Sequence, residues 1–277
     1  MKLAVVTDSV SDISPEIAKE LNITVVPLTV IFGTEQYLDG IDLSNTDFFN
    51  RLNTDPDHPS TSQPSPEAFV KTYKKLLDKG FEILSVHVSA KLSGTINSAE
   101  QAISTLNTDK IIIVDTGTAS MAQGLTAMSA ARAAKTAKSL KELESIAKET
   151  ANKTKVFVAM DTMEFLRRGG RIGRAKAALG SILNLKPIIT TVDGEIVPHS
   201  RARSIKKAIT SMINDMGAIS NISEIAILHG NVPDTADEIV SQLNEDNLDH
   251  PITVTGIGPV VGTHAGPGCV AIAFVSK

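Results

Sequence analysis

The chain predicts an α/β protein in two parts. Residues 1–153 read as an N-terminal three-layer α/β/α domain with a mainly parallel sheet. Residues 154–277 read as a smaller C-terminal two-layer α/β domain with a mixed sheet. Three observations carry this. Short apolar runs alternate with longer amphipathic stretches through the first half, the rhythm of βα units with helices on both sheet faces. The pattern changes near Lys153, beyond which residues 186–192 and 195–199 flank Asp193-Gly194, a hairpin dipeptide. A length of 277 residues also suits two domains better than one or three.

The elements follow in order. Residues 3–7 read as a buried strand, and Ser14-Pro15-Glu16 opens a helix with a capping hydroxyl, a proline at the first position and an acid at the positive dipole end. Residues 23–32 form an extended run rich in β-branched side chains, and Gly33 with the acidic stretch after it reads as turn and loop. Ser65-Pro66-Glu67 starts a second helix, with Phe69, Tyr73, Leu76 and Leu77 on one face and a stop at Gly80. Residues 83–88 and 111–114 are buried strands, with a helix at 95–104 between them. Residues 119–134 are small and apolar enough for a buried helix, and 140–150 form a charged amphipathic one. In the second half, strands are expected at 156–160, 225–229, 252–257 and 270–275, and helices at 203–216 and 234–243.

Composition excludes several functions. Aromatics are 4% with no tryptophan, which leaves an aliphatic interior and no base-stacking surface. A net charge of −4 disfavours nonspecific binding to nucleic acid and allows at most transient contact with anionic membranes. The N-terminus predicts no signal peptide, and no apolar run reaches the ~18–20 residues of a membrane span. Cys269 is the one cysteine, so no internal disulfide and no thiolate metal cage is possible. A cytoplasmic location, no cofactor and no metal are the expectations.

Four segments could carry chemistry. In Ser60-Thr61-Ser62-Gln63-Pro64-Ser65 the hydroxyls either cap the next helix and fill a loop, or Thr61 and Ser62 donate to an anion. Ser89-Ala90-Lys91-Leu92-Ser93-Gly94-Thr95 follows a strand and opens a helix, the carboxyl edge where α/β sheets bind ligands. Ser93 could simply cap, but Gly94 would let a ligand approach the backbone, and free N–H groups at a helix start favour an anion. Leu166-Arg167-Arg168-Gly169-Gly170-Arg171-Ile172 reads as a helix end with solvated arginines rather than an RGG nucleic-acid segment. Residues 256–268 hold five glycines and two prolines in thirteen positions, which predicts a shaped loop and no helix. His264 in it is either a ligand contact or an ordinary loop histidine.

No phosphate-binding P-loop, dinucleotide fingerprint, zinc-protease motif or nucleophile elbow is present. Asp115-Thr116-Gly117 imitates an aspartic-protease triplet, but only once and in an α/β context.

Taken in order, Val6-Thr7-Asp8-Ser9, Val26-Pro27-Leu28, Asp39-Gly40, Thr61 to Ser65, Leu92-Ser93-Gly94-Thr95, Leu166 with Gly169-Gly170-Arg171-Ile172, Lys186-Pro187, Arg203 with Lys206-Lys207-Ala208, and Gly262-Thr263-His264 with Gly266-Pro267-Gly268 resemble the DegV family over essentially the whole length. The resemblance implies a two-domain DegV-type fold with a fatty acid, such as palmitate, stearate or oleate, in a tunnel between the domains. It implies that Thr61 and Ser93 bind the carboxylate; the helix start would add the Gly94 and Thr95 N–H groups, and His264 on the glycine-rich loop would sit slightly further out. It further implies a non-catalytic lipid-binding subunit of a bacterial fatty acid kinase system serving phospholipid synthesis. A separate ATP-dependent kinase subunit would dock at Arg203. One departure is Thr116, where many relatives carry serine.

Physical chemistry agrees. Burying ~14 methylenes at about 0.8 kcal/mol each gives roughly 11 kcal/mol gross, enough to retain a lipid after association costs. Two competing readings are a lipid hydrolase or acyltransferase with Ser93 as nucleophile and His264 as base, and a small-molecule kinase of the dihydroxyacetone type. The first needs a Ser–His–acid set, the second a nucleotide site that the sequence does not display.

Overall fold

The structure is a computed structural model that describes residues 2–176, 185–243, 248 and 250–277. The opening apolar run forms β1 (Lys2–Asp8), whose successive side chains Val5 and Val6 lie in different cores, one on each face. Helix α1 (Pro15–Glu20) starts as predicted, with the Ser14 hydroxyl accepting the Ile17 N–H and Pro15 in the first turn. The run at 23–32 is not one strand. Pro27, with no N–H for a ladder, divides it into β2 (Ile23–Val26) and β3 (Thr29–Phe32). Gly33 turns with φ +58° into β4 (Glu35–Leu38), so the stretch expected as loop pairs with β3 as an antiparallel hairpin. Helix α2 (Asn45–Thr54) also lies outside the sequence expectation; Ser44 caps it and Phe48 and Phe49 are buried. β5 (Ser60–Ser62) pairs with β3, which makes the hydroxyl cluster an edge strand of a three-stranded sheet rather than a loop.

The expected rhythm then holds through α3 (Pro66–Leu77), β6 (Phe81–His87), α4 (Thr95–Leu106) and β7 (Ile111–Asp115). Strands β2-β1-β6-β7, in that order, form a parallel sheet. On one face Phe69, Tyr73 and Ala99 from α3 and α4 meet Val6 and Ile83. On the other lie α5 (Met121–Ala133) and α6 (Leu140–Lys153).

β8 (Thr154–Ala159) follows α6 directly. After it come α7 (Glu164–Arg168), β9 (Lys186–Val192), β10 (Glu195–Ala202), α8 (Ile205–Met216), β11 (Ile222–His229), α9 (Pro233–Val240), β12 (Thr253–Gly256), α10 (Pro259–Ala265) and β13 (Val270–Ser276). The six strands form a mixed sheet in the order β10-β9-β8-β13-β11-β12. Asp193 and Gly194 have φ of 51° and 79°, as a two-residue primed hairpin turn requires. Helices α8 and α9 cover the outer face, where Ile209, Met212 and Ile239 meet Phe157 and Ile272. The inner face, with Ala226, Leu228 and Ala271, shares one core with Val5 and Leu84 of the parallel sheet. Helix α5 packs against both sheets. That is why it is buried along nearly its whole length, with its polar Gln123 and Thr126 hydrogen-bonded inside the protein.

The glycine-rich segment corrects an expectation. Residues 256–268 contain α10 where the composition argued against any helix. Its glycines sit mostly at the ends: Gly258 is the N-cap, Pro259 opens the first turn, and Gly266, with φ of 76°, ends it. Only Gly262 is interior, and a Cβ there would lie 2.7 Å from the Phe48 ring. No described helix is long and apolar enough to cross a membrane.

Candidate functional site

Between the two sheets lies a cavity of about 290 Å³, at the small end of the roughly 300–1,000 Å³ of ligand sites. Alternate residues of β8 and a continuous run of β9 form one wall. Val156 and Val158 of β8, with Ile189 of β9 and Ala271 of β13, come from the six-stranded sheet. Val10, Leu28, Val88 and Ala119 close it from the parallel-sheet side, at the carboxyl ends of the strands. α10 adds Val260, Val261 and Ala265. Polar groups gather where β5, the turn before α4, α10 and the turn after α7 meet: Thr61, Ser93, His264 and Arg171.

Thr61 Oγ1 lies 3.0 Å from His264 Nε2. The strand pairing of β5 with β3 holds Thr61, and α10 holds His264. The other ring nitrogen, Nδ1, is buried with no partner among the described residues. Gly169, the C-cap of α7, abuts this ring so closely that a Cβ there would lie 2.0 Å from Nδ1. Burial, with the Arg171 guanidinium and His58 nearby, pushes the His264 imidazole down from the ordinary 6.5 to about 4. It is therefore neutral at pH 7.

Ser93 Oγ pairs with Thr95 Oγ1 at 2.8 Å and accepts the Thr95 N–H at 3.3 Å. Gly94 is the N-cap of α4 and packs against the Gln63 side chain. Gln63 in turn donates to Ser98 at 3.0 Å. Thus Thr61, Ser93 and His264 share the cavity wall, whereas Gly94 and the fully buried Thr95 stand one step behind it. Ser93 is hydrogen-bonded to Thr95 and His264 to Thr61, with no hydrogen bond between Ser93 and His264. Arg203 is exposed, just before the Ser204 N-cap of α8, and does not line the cavity; Lys206 and Lys207 are exposed beside it.

Arg171 enters the site although the sequence reads it as a solvated arginine. Its side chain lies at the cavity rim and donates to the carbonyls of Leu92 at 3.2 Å and Gly169 at 2.8 Å. No carboxylate pairs with it among the described residues. The signal was the glycine pair before it, which lets the chain double back from α7 toward the cavity. Ser120, at the start of α5, is a second lining residue outside the expected set.

Chemically, an apolar cavity ends in two hydroxyls, a neutral imidazole and a guanidinium. That arrangement suits a long apolar molecule with a polar, anionic head. Fold and site together define an α/β protein with an apolar cavity between its parallel and mixed sheets.

The chain belongs to the DegV family: the family model, described as an uncharacterised protein of the DegV family, matches residues 2–277. A DegV domain-containing protein of Halalkalibacterium halodurans is 32% identical over 277 residues, covering 99% of this chain and 98% of that one. A DegV family protein from Thermus thermophilus, described for its fatty acid binding, superposes with a TM-score of 0.93 at 32% identity over 100% of both chains. DegV from Bacillus subtilis, described as a fatty acid binding protein, gives 0.90 at 31% identity, again over 100% of both.

Proposed function

We propose that this protein binds one long-chain fatty acid, with the acyl chain in the cavity and the carboxylate among Thr61, Ser93 and His264. The observation that carries this reading is the cavity itself: aliphatic walls from both sheets, with hydroxyl, imidazole and guanidinium groups gathered at one end. The fatty acid binding of the Thermus thermophilus and Bacillus subtilis relatives supports it. Residues 1–153 and 154–277 act as two domains that enclose the chain. The neutral His264 can donate one hydrogen bond to the carboxylate, and Arg171 supplies the positive charge at the rim.

The finer reading is that of a carrier without catalysis of its own, which presents the carboxylate to a separate ATP-dependent kinase docking over Arg203. The exposed Arg203, Lys206 and Lys207 support a docking role rather than a lipid contact. The pairing of Ser93 with Thr95, and of His264 with Thr61, argues against Ser93 as a base-activated nucleophile.

Native mass spectrometry of the purified protein tests the carrier reading. The expected result is a mass excess of one fatty acid, released on denaturation, with no ester cleavage and no ATP turnover by the protein alone. Folded protein that stays empty when fatty acid is added would remove it.

A further inference from the structure

We propose that Asp12 and Asp39 are positioning residues for the carboxylate site, holding α10 by its N-terminus and so fixing where His264 stands. The inference rests on the reading of the cavity's polar end as a carboxylate site.

A helix start leaves backbone N–H groups without partners, and the N-cap of α10, Gly258, has no side chain to satisfy them. Pro259 has no N–H at all. The donors on either side of it are taken up from far away in the sequence. Gly258 N donates to Asp12 Oδ1 at 2.8 Å, and Val260 N to Asp39 Oδ1 at 3.4 Å. Both carboxyls are buried, at 7% and 5% exposure, and no cation pairs with either among the described residues. Burying such groups is unfavourable unless they make hydrogen bonds, and here they are met by the α10 backbone together with Ser120 for Asp12 and Ser9 for Asp39.

The grip is reinforced. Thr255 Oγ1 donates to the Asp12 carbonyl at 3.2 Å, and Asn45 Nδ2 to the Gly256 carbonyl at 3.2 Å. A Cβ at Gly258 would lie 3.0 Å from Asp12 Oδ1, so the glycine lets the carboxyl reach the backbone. Asp12 is itself fixed by Ser120, whose hydroxyl donates to Oδ2 at 2.5 Å. Ser120 adopts φ 58° and ψ −151°, a region that only glycine enters readily, and it lines the cavity. A chain of contacts therefore runs from the cavity wall through Ser120 and Asp12 to the start of α10. At the other end of that helix His264 meets Thr61. The helix spans roughly 9 Å from Gly258 to His264 at about 1.5 Å per residue, so freedom at its start displaces the imidazole at its end.

The test compares Asp12→Ala, Asp12→Asn and Asp39→Ala with the parent protein. Two readouts are used: the NMR signal and titration of the His264 imidazole, and the affinities for a long-chain fatty acid and the primary alcohol of the same length. Asp12→Ala is expected to shift the His264 signal and move its titration from about 4 toward the ordinary histidine range. Acid affinity should fall about tenfold, as for loss of one hydrogen bond to a charged group, and alcohol affinity less than about threefold, because the apolar wall persists. Asp12→Asn, which can still accept from Gly258 and bond Ser120, should recover most of both. Asp39→Ala should repeat the alanine result more weakly and carries the test if Asp12→Ala does not fold. A folded alanine variant with a parental His264 signal and an unchanged acid-to-alcohol ratio would overturn the proposal. If the parent protein does not prefer acid over alcohol, the carboxylate reading fails, while the His264 signal still decides the positioning.

Discussion

Thr61 Oγ1 and His264 Nε2 stand 3.0 Å apart across 203 residues of sequence, joining an edge strand of the three-stranded sheet to α10. Either group can turn toward a carboxylate placed between them and Ser93. Removing a hydrogen bond to a charged group costs about 1.5–3 kcal/mol. Thr61→Ala and Ser93→Ala are each expected to weaken fatty-acid binding about tenfold or more, with part of the affinity retained from the apolar wall. A fatty alcohol or methyl ester of equal length is the control. Equal losses for acid and neutral ligands in equilibrium binding would show that both hydroxyls are structural.

Gly169 offers a steric test of the same site. Its φ of −74° is open to any residue, so alanine introduces no backbone strain. The added methyl, however, would lie 2.0 Å from His264 Nδ1, far inside contact distance, and the ring has to move. Gly169→Ala is expected to lower fatty-acid affinity at least about fivefold, in line with overpacking costs of about 1–3 kcal/mol, and to shift the His264 NMR signal. Gly170→Ala is the contrast: its φ of +69° is strained for alanine, but nothing lies within 4 Å. It should reduce stability more than it perturbs the His264 signal.

The fold was legible where local chemistry decides it. Ser14-Pro15-Glu16 and Ser65-Pro66-Glu67 open helices where expected, and Asp193-Gly194 turns a hairpin. Thr61 and Ser93 could be singled out because each lies in a hydroxyl-bearing segment next to a strand or a helix start. What escaped depends on distant partners. α10 was hidden because its glycines count as helix breakers in the sequence, while in the structure they mark its ends and its contact with Phe48. Arg171 reads as solvated until α7 and its glycines turn it onto the Leu92 carbonyl. Nothing local to Ser120 announces that its hydroxyl reaches Asp12, 108 residues away.

Arg203 separates binding from presentation. It is exposed at the start of α8, on the outer side of the six-stranded sheet, and is absent from the cavity wall. Arg203→Ala is expected to leave fatty-acid affinity and melting temperature unchanged, since exposed side chains contribute little to stability. With a fatty acid kinase partner, phosphorylation of the bound lipid should fall at least about tenfold, the loss of about 1.4 kcal/mol of docking energy. Loss of lipid binding in this variant would show that the residue acts in the cavity and not at a partner surface.

The buried titratable groups of the site give stability opposite slopes with pH. His264 titrates at about 4 in the folded protein against an ordinary 6.5. The unfolded chain takes up a proton that the folded one refuses, so this contribution is present above pH 6.5 and is lost as pH falls toward 4. Asp12 is the reverse. Burial raises its carboxyl from 3.8 to about 8, so the folded protein keeps a proton that the unfolded chain has released. Its contribution is complete below pH 3.8 and declines as pH rises toward 8, and Asp39, raised to about 6, adds to that decline at the acidic end. A difference of one bound proton changes stability by about 1.4 kcal/mol per pH unit. Between pH 6.5 and 8, His264 and Asp39 are largely past their transitions and Asp12 dominates among the three. Asp12→Asn can keep the bonds to Gly258 and Ser120 but never charges, so urea unfolding should show a flatter loss of stability over that interval than in the parent. His264→Gln should likewise flatten the loss between pH 6.5 and 4. A bound carboxylate favours the imidazolium, so added fatty acid should raise the His264 midpoint in an NMR titration. Parallel pH profiles for the parent and Asp12→Asn would mean that Asp12 is already ionised when folded, with a compensating partner that the geometry around Ser120 and Gly258 does not provide.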